Sequence, residues 1–231
     1  MLQLPKVIGH RGAMAYVLEN TLDSFREAKK RGAPWIEIDV KLTSDDVPVV
    51  MHDASLKRTM GIDRLVAETP RAELPKGVPT FEETIALLGE LGLGCNVEIK
   101  PCEGREVETG RLTVEALRRH WPRHLPPPLL SSFKDAALAA AKAVAPEYAR
   151  ALLVSEVKED WQTRAKAVDA VGMNVGSRRL TAAAVTAIKR AGYLLAVWTV
   201  NDPEEARVLV GMGADCIITD RPDVILRALS A

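Results

Sequence analysis

Residues Trp35-Ile36-Glu37-Ile38-Asp39-Val40 alternate strictly, with Trp35, Glu37 and Asp39 in one phase and Ile36, Ile38 and Val40 in the other. Successive side chains of a strand point to opposite faces, so this pattern predicts a strand with one aliphatic and one acidic face. Carboxylates placed side by side repel each other and are costly to bury, so the acidic face needs a cation. The same pattern returns at Asn96-Val97-Glu98-Ile99-Lys100, with Glu98 and Lys100 in phase. The rest of the chain repeats a short aliphatic strand followed by a helical pattern. Strands are expected at 6–9, 35–40, 94–99, 129–132, 149–154, 170–175, 194–199 and 215–218. A further short strand at 47–51 follows a polar turn, and residues 54–78 are polar and turn-rich. Helical periodicity starts after Asn20-Thr21, at Thr80-Phe81-Glu82-Glu83, and at about 105–119, 134–145, 158–167, 181–191, 203–212 and 222–229. Thr21 and Thr80 are side-chain caps, Gly32 and Gly192 follow helix ends, and Pro203 and Pro222 fall where a first turn tolerates proline.

Strands alternating with helices give an open doubly wound sheet or a (β/α)8 barrel. About eight units in 231 residues match the barrel. No glycine-rich dinucleotide fingerprint or phosphate loop follows the first strand. The expected fold is therefore an α/β TIM barrel, one domain over residues 1–231, with a small insertion at about 54–78.

Composition narrows the partners. Lysine plus arginine and aspartate plus glutamate number 31 each, which gives no electrostatic case for nucleic acid or stable association with an anionic membrane. No segment carries the roughly 18 apolar residues of a membrane helix, and the first residues run into a strand without an apolar signal region. Three cysteines without zinc spacing point to reduced thiols in a cytoplasm.

In a barrel, function lies at the C-terminal ends of the strands. His10, Glu37, Asp39, Glu98, Lys100, Ser131, Ser132, Trp198 and Asp220 all fall at such ends. Glu37, Asp39 and Glu98 offer three hard oxygen ligands, suited to Mg²⁺, Ca²⁺ or Mn²⁺ and not to zinc. Lys100 can neutralise one carboxylate of the three or meet an anionic substrate. His10 and His52 each end an aliphatic run on this rim and form a candidate acid–base pair, whereas His120 and His124 belong to a polar connection and read as surface residues. Arg11 adds a fixed cation with a fork suited to phosphate oxygens. Metal, two histidines, arginine and lysine fit phosphoryl chemistry best.

The run His10-Arg11-Gly12, Glu19-Asn20-Thr21, Glu37-Ile38-Asp39-Val40, Leu42-Thr43, Pro48-Val49-Val50 and His52-Asp53 resembles the signature of glycerophosphodiester phosphodiesterases. Leu56 with Arg58-Thr59, Pro79-Thr80-Phe81-Glu82-Glu83, Val97-Glu98-Ile99-Lys100, Ser131-Ser132-Phe133, Val197-Trp198-Thr199-Val200-Asn201 and the run from Gly213 to Pro222 extend the resemblance along the chain. Leu18 and Met60 depart from the family pattern, both in loops. The resemblance implies a barrel that hydrolyses glycerophosphodiesters to sn-glycerol 3-phosphate and an alcohol. It implies a divalent cation, Mg²⁺ or Ca²⁺, on Glu37, Asp39 and Glu98, and acid and base roles for His10 and His52. It places Lys100 beside the phosphate, has Trp198 line the cleft, and lets the insertion cover the glycerol side. Arg11 and Lys100 are expected to stabilise phosphoryl charge. The sequence leans to His10 as the base and leaves open the nucleophile (water or the substrate's 2-hydroxyl) and the oligomeric state. Two other readings remain: a metal-dependent lyase or aldolase barrel with Lys100 as a Schiff-base lysine, and a non-catalytic barrel that binds a phosphate ligand or a protein partner.

Overall fold

The computed structural model describes residues 2–230. Eight strands run parallel in a closed ring: β1 (Val7–Gly9), β2 (Trp35–Leu42), β4 (Gly94–Ile99), β5 (Leu129–Ser132), β6 (Ala149–Val154), β7 (Ala170–Gly176), β8 (Leu194–Trp198) and β9 (Cys216–Thr219). Pairing of β1 with both β9 and β2 closes the barrel, with Ile8 opposite Ile218 on one side and Trp35 on the other. The short β3 (Pro48–Val50) pairs antiparallel with the last residues of β2, outside the ring. This is the expected (β/α)8 architecture.

Two layers of side chains hold it together. Ile36, Ile38 and Val40 of β2 join the large core between barrel and helices, along with Phe25, Phe81 and Leu117. By alternation, Trp35, Glu37 and Asp39 face the barrel axis. At the N-terminal end the axis is filled by Ile8, Trp35, Leu129, Ala151, Ala196, Cys216 and Ile218. A Cβ on Gly94 would collide with the Trp35 indole, so only glycine lets that ring plug the floor. The apolar floor confines polar chemistry to the opposite mouth.

Several boundaries differ from the sequence reading. β2 continues to Leu42 because β3 supplies pairing partners for Val40, Lys41 and Leu42. The expected helix at 158–167 begins at Trp161, and Asp160 before it makes no side-chain cap. The turn-rich stretch 54–78 contains a short helix, α2 (Lys57–Met60), and two 3-10 turns (Val66–Glu68 and Arg71–Glu73). It has its own small core, in which Leu56, Val66, Leu74 and Val78 pack on Val49 and Met51. The caps agree: Thr21 accepts from Ser24 N, and Thr80 and Glu83 form a reciprocal capping box.

The helices α4 (Glu106–His120) and α5 (Asp135–Val144) meet at Gly110, where a Cβ would run into the Ala137 backbone carbonyl. In an open helix, glycine to alanine gains about 0.5–1 kcal/mol. Here overpacking, at about 1–3 kcal/mol, opposes and exceeds that gain. Gly110→Ala is expected to lower the midpoint of thermal unfolding followed by circular dichroism; a raised midpoint would contradict this packing.

Candidate active site

Asp39 on β2 is in register with Glu98 on β4, and Glu37 lies two residues earlier on the same inward face. One oxygen from each of the three carboxylates lies within 4.8 Å of the others, and all three side chains are buried. Asp39 is the best compensated. Its Oδ1 accepts from Lys100 Nζ at 3.0 Å, its Oδ2 accepts from Asn20 Nδ2 at 2.8 Å, and Arg11 Nε lies 3.4 Å from that same oxygen. Burial alone would raise its pKa, but Lys100 and Arg11 outweigh burial and hold it well below the usual carboxylate range. Glu37 accepts one bond from the Arg11 backbone N–H at 3.1 Å. Lys100 Nζ, with three donors, also pairs with Glu98 Oε1 at 3.1 Å, so one ammonium is shared between two carboxylates. Burial, then the neighbouring carboxylates, push Glu37 well up and Glu98 up to about 8. Three convergent oxygen donors, with one ammonium shared between two of them, and no thiolate fit a hard divalent cation.

The turn after β1 brings Arg11 into the mouth. Arg11 adopts φ 49° and Gly12 φ 90°. A Cβ on Gly12 would strike Ser24 of α1 (Leu22–Lys30), which fixes the turn against that helix. His10 Nδ1 bonds Asp220 Oδ1 at 2.7 Å, and Asp220 Oδ2 accepts from Asn201 Nδ2 at 2.6 Å. His10 Nε2 is thereby turned inward, 3.9 Å from Glu37 Oε2. His52, beyond β3, bonds through Nδ1 to Asp53 Oδ1 at 2.6 Å. Burial lowers the pKa of His52. Arg58 and His52 hold Asp53 down to about 2. Lys41, buried at the end of β2, donates to the Lys100 backbone carbonyl at 3.0 Å and fixes the end of β4.

His10, Arg11, Glu37, His52, Glu98, Lys100 and Trp198 line one cavity of about 210 Å³ at the barrel mouth, with Asn96, Asn174, Leu153, Phe133 and Ile218. Asp39 sits directly behind that wall, 1% exposed. Phe133 meets Trp198 edge to face, with ring centroids 5.7 Å apart. A second cavity, about 260 Å³, opens outside the barrel beside Phe81 and α4, and none of these charged residues lines it. Among the rim residues read from sequence, Ser131 and Ser132 do not reach the mouth cavity. Ser132 Oγ instead bonds the Ile99 carbonyl at 2.5 Å and joins two strands. His124 is exposed and His120 ends α4, both away from the mouth. Sequence reading assigned no role to Asp53, Asn201, Asn96 and Asn174. Asn96 and Asn174 were legible as polar residues at inward positions of otherwise aliphatic strands, whereas Asn201 comes to Asp220 only through the tertiary fold.

Two histidines, Arg11, Lys100 and buried carboxylates thus converge on one mouth of a TIM barrel, a set of groups suited to phosphoryl chemistry. Residues 10–224 match the glycerophosphoryl diester phosphodiesterase family, and the chain belongs to it. A phosphodiesterase of Oleispira antarctica, solved in complex with the product sn-glycerol-3-phosphate, is 40% identical, with a TM-score of 0.95 over 99% of this chain and 98% of that one. A glycerophosphodiester phosphodiesterase from Parabacteroides distasonis is 25% identical, with a TM-score of 0.83 over 97% and 96% of the two chains. The glycerophosphodiester phosphodiesterase of Caldanaerobacter subterraneus subsp. tengcongensis is 29% identical across 95% of this chain and 96% of its own length. No described helix is long and apolar enough to cross a membrane.

The carboxylate cluster makes stability depend on pH and cation together. Glu37 and Glu98 have raised folded-state pKa values, so the metal-free folded state binds more protons than the unfolded chain, and its stability falls as pH rises toward 8. A cation held there would need the cluster deprotonated, so its stabilisation would grow over the same window. The rise in melting midpoint on replacing EDTA with Mg²⁺ or Ca²⁺ is expected to be larger at about pH 8.5 than at about pH 6, the underlying stabilisation being roughly 2.7 kcal/mol at a hundredfold excess over Kd. Equal rises at both pH values would contradict it.

Proposed function

We propose that the chain hydrolyses glycerophosphodiesters to sn-glycerol 3-phosphate and an alcohol at this mouth, with His10 and His52 as the acid–base pair. The observation that carries the reading is the convergence, in one cavity, of two carboxylate-backed histidines, Arg11, Lys100 and an under-compensated carboxylate cluster. Glu37, Asp39 and Glu98 would hold a divalent cation, Mg²⁺ or Ca²⁺. When bound, such an ion draws charge from phosphoryl and hydroxyl oxygens as a Lewis acid.

The surroundings of the two imidazoles support the opposite assignment to the sequence lean. Burial favours neutral His52, which suits it to accept a proton from the attacking oxygen of water, or of the glycerol 2-hydroxyl if water then opens the resulting cyclic phosphate in a second step. His10 then serves as the acid. Asp220 holds its Nδ1, and Nε2 faces the cavity to protonate the leaving alcohol oxygen as the P–O bond to that alcohol breaks. Arg11 and Lys100 contact the non-bridging phosphoryl oxygens, where charge accumulates. Trp198, packed on Phe133, forms the apolar wall of the cleft, and the insertion at 54–78 covers the glycerol side. The family assignment displaces the lyase and non-catalytic readings. The Schiff-base role is also opposed chemically: burial works against the Lys100 charge, but Asp39 and Glu98 outweigh it and raise its pKa, so the amine stays protonated. Three free cysteines fit a reducing, cytoplasmic setting.

Wild-type protein is expected to release sn-glycerol 3-phosphate from at least one of glycerophosphocholine, glycerophosphoethanolamine and glycerophosphoglycerol. His10→Ala and His52→Ala should each cost about 10²–10⁴-fold in kcat. Either variant retaining more than about a tenth of the wild-type rate would sink the pairing. Silence of folded, cation-supplied wild type on all three diesters would sink the function.

A further inference from the structure

We propose that Arg58, on the insertion, is a positioning residue that sets the geometry of both His52 and Arg11; this rests on the roles given to those two residues above. One guanidinium holds two carboxylates. Arg58 Nε donates to Asp53 Oδ2 at 2.6 Å, and Nη1 and Nη2 donate to the two oxygens of Glu19, each at 2.7 Å. Each carboxylate in turn holds a residue of the cavity wall. Asp53 Oδ1 meets His52 Nδ1 at 2.6 Å, and Glu19 Oε1 also accepts from Arg11 Nη1 at 2.7 Å. The chain of contacts His52–Asp53–Arg58–Glu19–Arg11 thus runs behind the site and joins the loop after β1 to the segment after β3.

Stability alone does not account for this arrangement. Glu19 is buried and held bidentately, so the fork contributes to folding, but the Arg58 side chain itself is 49% exposed and its second carboxylate, Asp53, is half-buried. Geometry does account for it. Only a planar fork with donors in fixed directions can hold Asp53 on one edge and Glu19 on another, and lysine cannot reproduce it. Leu56, buried two residues earlier in the satellite core, anchors α2 so that the fork points inward. The insertion therefore braces the chemistry of the mouth through Arg58. Without the brace, Asp53 is free to turn away from His52 Nδ1, and Glu19 loses the fork that holds it in place beside Arg11.

The test compares Arg58→Lys, Arg58→Met and Arg58→Ala with wild type on whichever glycerophosphodiester wild type cleaves. All three should lose about 10–100-fold in kcat, the scale set by small misplacements of reacting groups. Cation affinity should stay close to wild type, and each variant should remain fully folded at the assay temperature. Added methylguanidine should restore part of the turnover of Arg58→Ala. The proposal is overturned if Arg58→Lys keeps the wild-type kcat, if the loss follows unfolding at the assay temperature, or if methylguanidine restores nothing. Failure of wild type itself on every diester would count against the proposed activity, whereas the ratio of variant to wild type tests only the brace.

Discussion

Everything at the barrel mouth answers to one constraint: three carboxylates face one another in a space from which water is largely excluded. Such a cluster is unfavourable unless protons or cations neutralise it. The chain supplies part of the remedy. Lys100 and Arg11 attend to Asp39, and the Arg11 backbone amide serves Glu37. Glu98 has only a share of Lys100, and Glu37 has no side-chain cation in hydrogen-bond contact. A charge deficit of this kind suits a site that must capture a cation, since full internal pairing would leave that cation nothing to bind.

The barrel makes the constraint tolerable by dividing its axis. Trp35, Leu129, Ile8 and Ile218 fill the floor, with Gly94 giving way to the indole, so stability resides at one end. The same inward phase of β2 and β4, two and four residues further on, places Glu37, Asp39 and Glu98 at the other. Alternation thus turns one strand into both plug and ligand. Helical packing outside the ring lets the mouth carry strained features such as the positive φ of Arg11.

How much of this the sequence disclosed follows from the range of each interaction. The carboxylate trio, the lysine and the strand ends were legible because alternation is local and the barrel rule maps strand ends to one rim. The resemblance marked Glu19 and Arg58 without assigning them a role, since their joint contact exists only when the insertion folds back on the first loop. The pairing of His10 with Asp220 spans 210 positions, and both were read as rim residues without the bond between them. Ser131 and Ser132 end their strand as read, but they part by alternation: Ser131 is in register with Glu98, whereas Ser132 bonds the Ile99 carbonyl. The internal structure of 54–78 was hidden because its small core uses isolated apolar residues without helical or strand periodicity.

The most direct test of the central claim is the anomalous scattering of Mn²⁺ in crystals of the protein soaked with that ion. A single strong peak is expected at the mouth, with oxygens of Glu37, Asp39 and Glu98 at about 2.0–2.6 Å, the range of oxygen coordination to hard divalent ions. Peaks only at surface carboxylates, in crystals whose dissolved protein still turns over in a cation-dependent way, would show that the buried trio is not the cation site, and the account built on it would fail.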